Sequence, residues 1–357
     1  MRLALVIGTR PEIVKMSPII RLCKEKKIDY FMIHTGQHYD FNMDGAFFND
    51  LQLPTPNYNL RVGSGGHAEQ TAKILVGVEK ILVKEKPDVT LVEGDTNSVL
   101  GGALVASKLH MKLGHVEAGL RSGDPGMPEE VNRIIADHVS DYLFAPTDVS
   151  KTNLLREGLD RQVYVTGNTV VDALKENIKI AGNKEVLEVR NLSPMEYFLV
   201  TLHRVENVND RTRLTEILSA LSAIKKKYSL PMVFPVHPRT RKIIDGFGLS
   251  TDGLTLVEPL PYLEFIQLES QAKLILTDSG GVQEEACSLG VPCVTIRENT
   301  ERPETVDVGA NIVAGIKSNG IIECTDIMLK ANKGWLNPYG DGSAGLKIIN
   351  ILRTEFG

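Results

Sequence analysis

The sequence predicts an α/β protein made of two doubly wound parallel-sheet domains facing each other across a cleft. Three observations predict it. Short apolar runs alternate with glycine-rich or polar turns and amphipathic stretches along most of the chain. The 357 residues suffice for two domains of ~150 residues each. The rhythm breaks once, in the polar stretch 175–196, and then restarts. In open sheets of this kind ligands bind beyond the carboxyl ends of the strands, so strand-exit residues carry most of the functional information.

Taken in order, 3–8 reads as a buried strand and 12–27 as a helix, with Pro11 suited to the first helical turn. A second strand is expected at 30–34. The stretch 69–86 sets Ala72, Leu75, Val78 and Leu82 at helical spacing, and Pro87 closes it. Strands at 89–93, 113–117, 142–145 and 163–166 alternate with helices at 98–109, 130–139 and 149–157, the last stopped by Gly158. After the expected linker at 175–196, strands are expected at 197–201, 232–236, 254–258, 274–277 and 293–296. Helices are expected at 211–228, 239–246, 262–270 and 282–289, and a last one at 343–356 follows the turn-rich stretch 337–342. This divides the chain into an N-terminal domain at 1–170, a C-terminal domain at 171–335 and a final segment, 336–357, packing back on the first domain.

Composition narrows the function. Forty Lys and Arg against 45 Asp and Glu give a formal net charge of −5, which argues against a nucleic-acid binder working through broad basic surface. No apolar run approaches the ~18 residues of a membrane span, and the opening apolar stretch runs straight into Arg10 and Glu12. Cys23, Cys287, Cys293 and Cys324 form no C-x-x-C pair and have no His at metal-ligand spacing. Reduced thiols in a cytoplasmic protein are expected, and no metal site is built on them.

Chemistry collects at the strand exits. Gly8-Thr9-Arg10-Pro11-Glu12, with Lys15 one turn on, is a glycine turn into a helix N-terminus, suited to an anion or simply to an ordinary βα turn. The dinucleotide fingerprint G-x-G-x-x-G is missing there, which weighs against a nicotinamide or flavin enzyme. Asp95, Glu117 and Glu129-Glu130 place three acidic sites at one edge, and Asn132 and Arg133 follow. Clustered carboxylates suit general acid/base work or a hard cation such as Mg²⁺, and their spacing does not choose between the two. His203 stands at a later strand exit between Leu202 and Arg204. Asp278-Ser279-Gly280-Gly281, leading into a helix that carries Glu285, is what a diphosphate needs: close backbone approach, a capping hydroxyl and exposed N–H groups. Glu285 lies where a carboxylate could accept two hydroxyls of a ribose.

Eight motifs in register across nearly the whole chain resemble the non-hydrolysing UDP-N-acetylglucosamine 2-epimerases. They are Gly8–Glu12, Thr35-Gly36-Gln37-His38, Gly94-Asp95-Thr96, His115–Arg121, Pro128-Glu129-Glu130 with Asn132-Arg133, Thr201–Arg204 with Glu206-Asn207, Asp278–Gly281 with Gln283–Glu285, and Glu301–Glu304. The resemblance implies the two-domain GT-B fold, a homodimer, no metal or nicotinamide, and interconversion of UDP-GlcNAc and UDP-ManNAc through elimination of UDP to 2-acetamidoglucal and its re-addition. It implies catalytic roles for Asp95, Glu117, Glu129 and His203. Arg10, His203, Ser279, Gly280 and Gly281 match phosphate contacts, with the substrate-binding Lys15 and Arg133 close by; Arg302 matches a further nucleotide-side position, Glu285 a ribose contact and Phe265 the uracil pocket. Gln37, His38 and His237 match part of a second, allosteric nucleotide-sugar site, although Ser64-Gly65-Gly66 replaces a basic stretch there. A glycosyltransferase of the same fold, a hydrolysing epimerase and a nucleotide-sugar sensor are the competing expectations.

Overall fold

The computed structural model describes residues 1–37, 41–182 and 186–357; His38 lies outside them. It divides into unit 1, Met1–Glu176 with Tyr339–Gly357, and unit 2, Asn177–Pro338.

Unit 1 runs β1 (Arg2–Ile7), α1 (Arg10–Glu25), β2 (Asp29–His34), α2 (Phe41–Asp50), β3 (Tyr58–Asn59), α3 (His67–Glu85), β4 (Val89–Glu93), α4 (Asn97–Lys108), β5 (Lys112–Val116), α5 (Pro128–Val139), β6 (Tyr142–Ala145), α6 (Asp148–Arg156), β7 (Val163–Val165) and α7 (Thr169–Ala181). Its seven strands pair in parallel in the order β3-β2-β1-β4-β5-β6-β7. Leu3–Ile7 of β1 is completely buried, because a central parallel strand is covered on both faces. Gly102 lets α4 lie close against β1 and β4: a Cβ there would stand 3.1 Å from both Val6 and Val92.

Unit 2 runs α8 (Val186–Val189), β8 (Phe198–Thr201), α9 (Val205–Val208), α10 (Arg211–Tyr228), β9 (Met232–Pro235), α11 (Pro238–Phe247), β10 (Thr255–Val257), α12 (Tyr262–Ser270), β11 (Leu274–Thr277), α13 (Gly280–Leu289), β12 (Cys293–Thr295), α14 (Pro303–Asp307), β13 (Asn311–Val313) and α15 (Ser318–Met328). Its six strands are also all parallel, in the order β10-β9-β8-β11-β12-β13. Two apolar clusters cover its sheet. One joins Phe198, Leu214, Leu221 and Phe234; the other joins Tyr197, Leu199, Leu268 and Cys293.

The chain's last helix, α16 (Ala344–Phe356), packs on α1, and Phe356 meets the Tyr142 ring edge-on at 5.9 Å. The crossing from unit 1 to unit 2 falls inside α7, at Glu176–Asn177, and the return lies at Pro338–Tyr339. Both differ by a few residues from the divisions expected after 170 and 335.

Two local expectations need correcting. Residues 175–196 are not a plain linker: α7 runs on to Ala181 and α8 follows. Val170, Val171, Ala173, Leu174 and Asn177 give α7 a buried face that the polar letters between them conceal. In α3 the buried face holds Ile74, Val78, Ile81 and Leu82, while Ala72 is exposed. Apolar residues cover so much of that helix that spacing alone does not select the buried side.

Candidate functional site

In unit 1 the sites lie at three neighbouring strand exits. At the β1 exit Gly8 is compulsory: a Cβ would fall 1.9 Å from Ser98 Oγ and 2.4 Å from Thr35 Oγ1, which hydrogen-bond each other at 2.8 Å. The turn does not offer its Gly8 N–H outward, because Glu12 Oε2 accepts it at 2.5 Å and Glu12 Oε1 takes the Thr9 hydroxyl at 3.1 Å. Burial pushes the Glu12 carboxyl up to about 7. Arg10 is exposed, its guanidinium 5.5 Å from the Phe47 ring centre. Lys15 turns inward: its Nζ lies 2.5 Å from Glu117 Oε1 and 3.5 Å from Glu93 Oε1.

The β4 exit carries Gly94, at φ +85°, and Asp95. Arg133 Nη2 donates to the Asp95 carboxylate while its Nη1 donates to Glu130 at 2.8 Å. Asn132 Nδ2 holds the Asp95 backbone carbonyl at 2.9 Å. The i, i+1 placement of Asn132 and Arg133 on α5 thus grips both ends of one aspartate. Glu130 is buried and also accepts the Ser122 and Gly123 amides, fixing the loop before α5; Glu129 beside it is exposed.

At the β5 exit Glu117 sits at φ +70°, unusual for a residue with a side chain and a form of local strain typical of functional turns. Asn168 Nδ2 donates to its Oε1 at 3.0 Å. Behind it His115 is completely buried, with Nδ1 2.7 Å from Asp137 Oδ1 and Nε2 2.8 Å from the Gly94 carbonyl oxygen. Both ring nitrogens face acceptors, so both donate and the ring is an imidazolium. Burial opposes that charge, but Asp137 and the Gly94 carbonyl outweigh it and raise the His115 pKa. Asp137 also accepts the Gly119 amide at 3.1 Å and pairs with Arg121 at 2.7 Å.

In unit 2 Asp278, completely buried at the end of β11, ties two strand exits together. It accepts the backbone amides of His203 (3.1 Å) and Arg204 (3.0 Å) and the Asn207 side chain (3.2 Å), and lies 3.1 Å from His203 Nδ1. The exposed His203 ring is thereby oriented at the β8 exit. Ser279 caps α13, its Oγ 3.5 Å from the Val282 amide. A Cβ on Gly280 or Gly281 would meet nothing closer than 3.7 Å. Packing therefore does not require these glycines, and the helix N-terminus remains open to close backbone approach.

The other expected residues fall as follows. Glu285 is half-buried on α13, one turn past the glycines. Beneath that helix the carboxyl of Glu269 is fully buried and held above its ordinary range by burial and by Glu285. Phe265 packs against the cluster around Tyr197 and Leu199. Arg302 Nε pairs with buried Glu284. Glu301 is gripped by Arg297 through two contacts of 2.7 Å; burial pushes its carboxyl up, but Arg297 outweighs burial and brings it to about 2. Gln37 Oε1 accepts Ser98 Oγ at 2.8 Å, and the exposed His237 caps α11 through Nδ1, 3.2 Å from the Arg239 amide. Sequence reasoning did not single out Glu93, Asp137, Asn168 or Glu269. His115 in an otherwise apolar strand is the one signal that a buried polar partner had to exist.

Two parallel sheets, one with oriented carboxylates at its strand exits and one with an open, serine-capped helix N-terminus, define a two-domain α/β protein of GT-B type. A family model described as UDP-N-acetylglucosamine 2-epimerase matches residues 21–353. The UDP-N-acetylglucosamine 2-epimerase of Methanocaldococcus jannaschii is 53% identical, with 99% of each chain covered. A crystal structure of UDP-GlcNAc 2-epimerase from the same organism, in complex with UDP-GlcNAc and UDP, superposes with a TM-score of 0.89 at 53% identity, covering 99% of this chain and 100% of that one. The UDP-2,3-diacetamido-2,3-dideoxy-D-glucuronate 2-epimerase of Pseudomonas aeruginosa is 41% identical over 99% of both chains. The chain belongs to the UDP-N-acetylglucosamine 2-epimerase family, whose members are isomerases. Among the described residues no helix is long and apolar enough to cross a membrane.

Proposed function

We propose that the protein interconverts UDP-N-acetylglucosamine and UDP-N-acetylmannosamine, supplying N-acetylmannosamine-type sugars for glycan assembly. The C2 proton of the sugar is not adjacent to a carbonyl, so direct deprotonation has no stabilised carbanion to form. Elimination avoids this. A carboxylate takes the C2 proton, the electron pair forms the C1–C2 double bond, and UDP leaves from C1 with the bonding electrons. A proton then returns to C2 on the opposite face, and the diphosphate oxygen adds back to C1. The step needs no oxidant or reductant.

Unit 2 suits the nucleotide. The α13 N-terminus with Ser279, Gly280 and Gly281, together with His203, would receive the diphosphate and stabilise the charge it gains on leaving. Arg302 belongs to the same role, Glu285 to the ribose and Phe265 to the uracil. Unit 1 suits the proton transfers. Asp95, Glu117 and Glu129 are the acid/base groups of this reading, with Arg133 and Lys15 aiming the first two. The observation that carries it is the aiming itself: Asp95 and Glu117, at adjacent strand exits, are each held by a cation and their surroundings by an asparagine. A passive binding surface has no need of that.

Proton NMR of UDP-GlcNAc with the enzyme in D₂O tests this. Epimerisation gives UDP-ManNAc carrying deuterium at C2. Free N-acetylmannosamine would indicate a hydrolysing enzyme, and an unexchanged C2 would mean transfer or binding alone. Running UDP-2,3-diacetamido-2,3-dideoxy-D-glucuronate in parallel separates the two substrates named for the relatives.

A further inference from the structure

Glu93 is the last residue of β4 and is 1% exposed, yet nothing in the reaction as drawn uses it. It pairs in register with Val116, so its neighbour across the sheet is directly followed by Glu117. The two carboxyls share one ammonium, Lys15 Nζ, at 3.5 Å from Glu93 Oε1 and 2.5 Å from Glu117 Oε1. Glu93 Oε1 is buried and makes no hydrogen bond among the described residues. Glu12 of α1 is a further buried carboxyl whose charge opposes ionisation of Glu93. Two buried carboxyls that share one lysine cannot both ionise cheaply in a desolvated spot. Burial above all, with Glu117 and Glu12 adding to it, holds the Glu93 carboxyl above its ordinary range against the pull of Lys15.

We propose that Glu93 is a positioning residue: its buried carboxyl donates a hydrogen bond to the Glu117 carboxylate. Lys15 and Asn168 both donate to Oε1 of that carboxylate. Glu117 is then fixed in direction and kept anionic beside a neutral neighbour. When Glu93 ionises at high pH, a second negative charge appears next to Glu117 and the arrangement is lost. The inference rests on the acid/base role given to Glu117 above.

The test is the pH dependence of kcat in E93A and E93Q. An amide can donate the same hydrogen bond but cannot ionise. E93A is expected to lower kcat about tenfold or more, with KM changed by less than about threefold. E93Q should restore most of that loss and move the alkaline fall of kcat upward by about one pH unit or more. E93Q as poor as E93A, or a wild-type pH profile in both, overturns the inference. Should E93A not fold, the displaced alkaline limb of the near-isosteric E93Q decides alone. E117Q separates the two levels. If E117Q keeps full activity, the role of Glu117 fails. If E117Q is inactive while both Glu93 variants behave as wild type, only the present inference fails.

Discussion

Asp172 closes the N-terminus of α16 from the far side of the sequence: its Oδ1 accepts the Gly345 amide at 2.9 Å and its Oδ2 the Ala344 amide at 3.2 Å. Helix starts leave N–H groups without intrahelical partners, and here a carboxylate on α7 supplies what the local Ser343 does not. Removing it in D172A should destabilise unit 1 by about 1–2 kcal/mol. Thermal unfolding measures this, and a melting temperature equal to wild type would show that water satisfies those amides just as well.

Turnover should depend on aimed groups more than on charge as such. D95N keeps the shape at the β4 exit but leaves Arg133 facing a neutral amide, and H203A removes the ring held by Asp278. Each should lower kcat by about 10²–10³, a barrier rise of ~3–4 kcal/mol. Steady-state rates within a few fold of wild type in either variant would remove that residue from the mechanism.

Glycine tolerance should divide by position. At Gly119, with φ +82° and the Ser150 carbonyl oxygen only 2.3 Å from a would-be Cβ, alanine is expected to cost about 2 kcal/mol or more and reduce the folded yield. At Gly280 the fold has room, so G280A should melt like wild type yet bind UDP about tenfold more weakly, because the methyl occupies the approach to the α13 amides. Calorimetric titration with UDP distinguishes the two effects. Unchanged UDP affinity in G280A would mean that the diphosphate lies elsewhere.

The Glu12 proton gives stability a definite slope. The folded carboxyl titrates at about 7 and the unfolded one near 4.5, so the folded state holds the proton more tightly. That contribution is complete below pH ~4.5 and is lost as pH rises through about 7, a difference of about 3 kcal/mol. Urea unfolding between those pH values should fall less steeply for E12Q than for wild type. Parallel slopes would mean that Glu12 is ionised throughout.

How far the sequence revealed all this depends on distance along the chain. Strands such as Val89–Glu93 and Leu274–Thr277 announce themselves because buried parallel strands are continuous apolar runs between turn residues. The two-residue β3, the short β13 beginning at Asn311, and helices α2, α14 and α15 passed unnoticed: the strands are too short to show a period, and the helices are strongly polar or split by glycine. Within the site, Ser279-Gly280-Gly281 is local chemistry and was legible as such. The partners of Lys15 were not. Read alone it is a basic residue one turn into an anion-binding helix, but it is drawn to Glu117, 102 positions away. Glu93 was hidden differently, as the last letter of an apolar strand whose burial turns it into a proton holder.

The discontinuity of unit 1 bears on how the protein is made. A ribosome releases residues 1–176, then the whole of unit 2, and only afterwards the segment 339–357 that supplies α16. Until then the α1 surface that α16 covers, around Pro18 and Leu22, lies bare, and Asp172 has no helix to cap. Unit 2 can therefore be finished while its older neighbour is still incomplete, the reverse of the usual N-terminal-first order. The first unit to emerge is the last to close, and changes in α16 would be felt in the unit that is synthesised first.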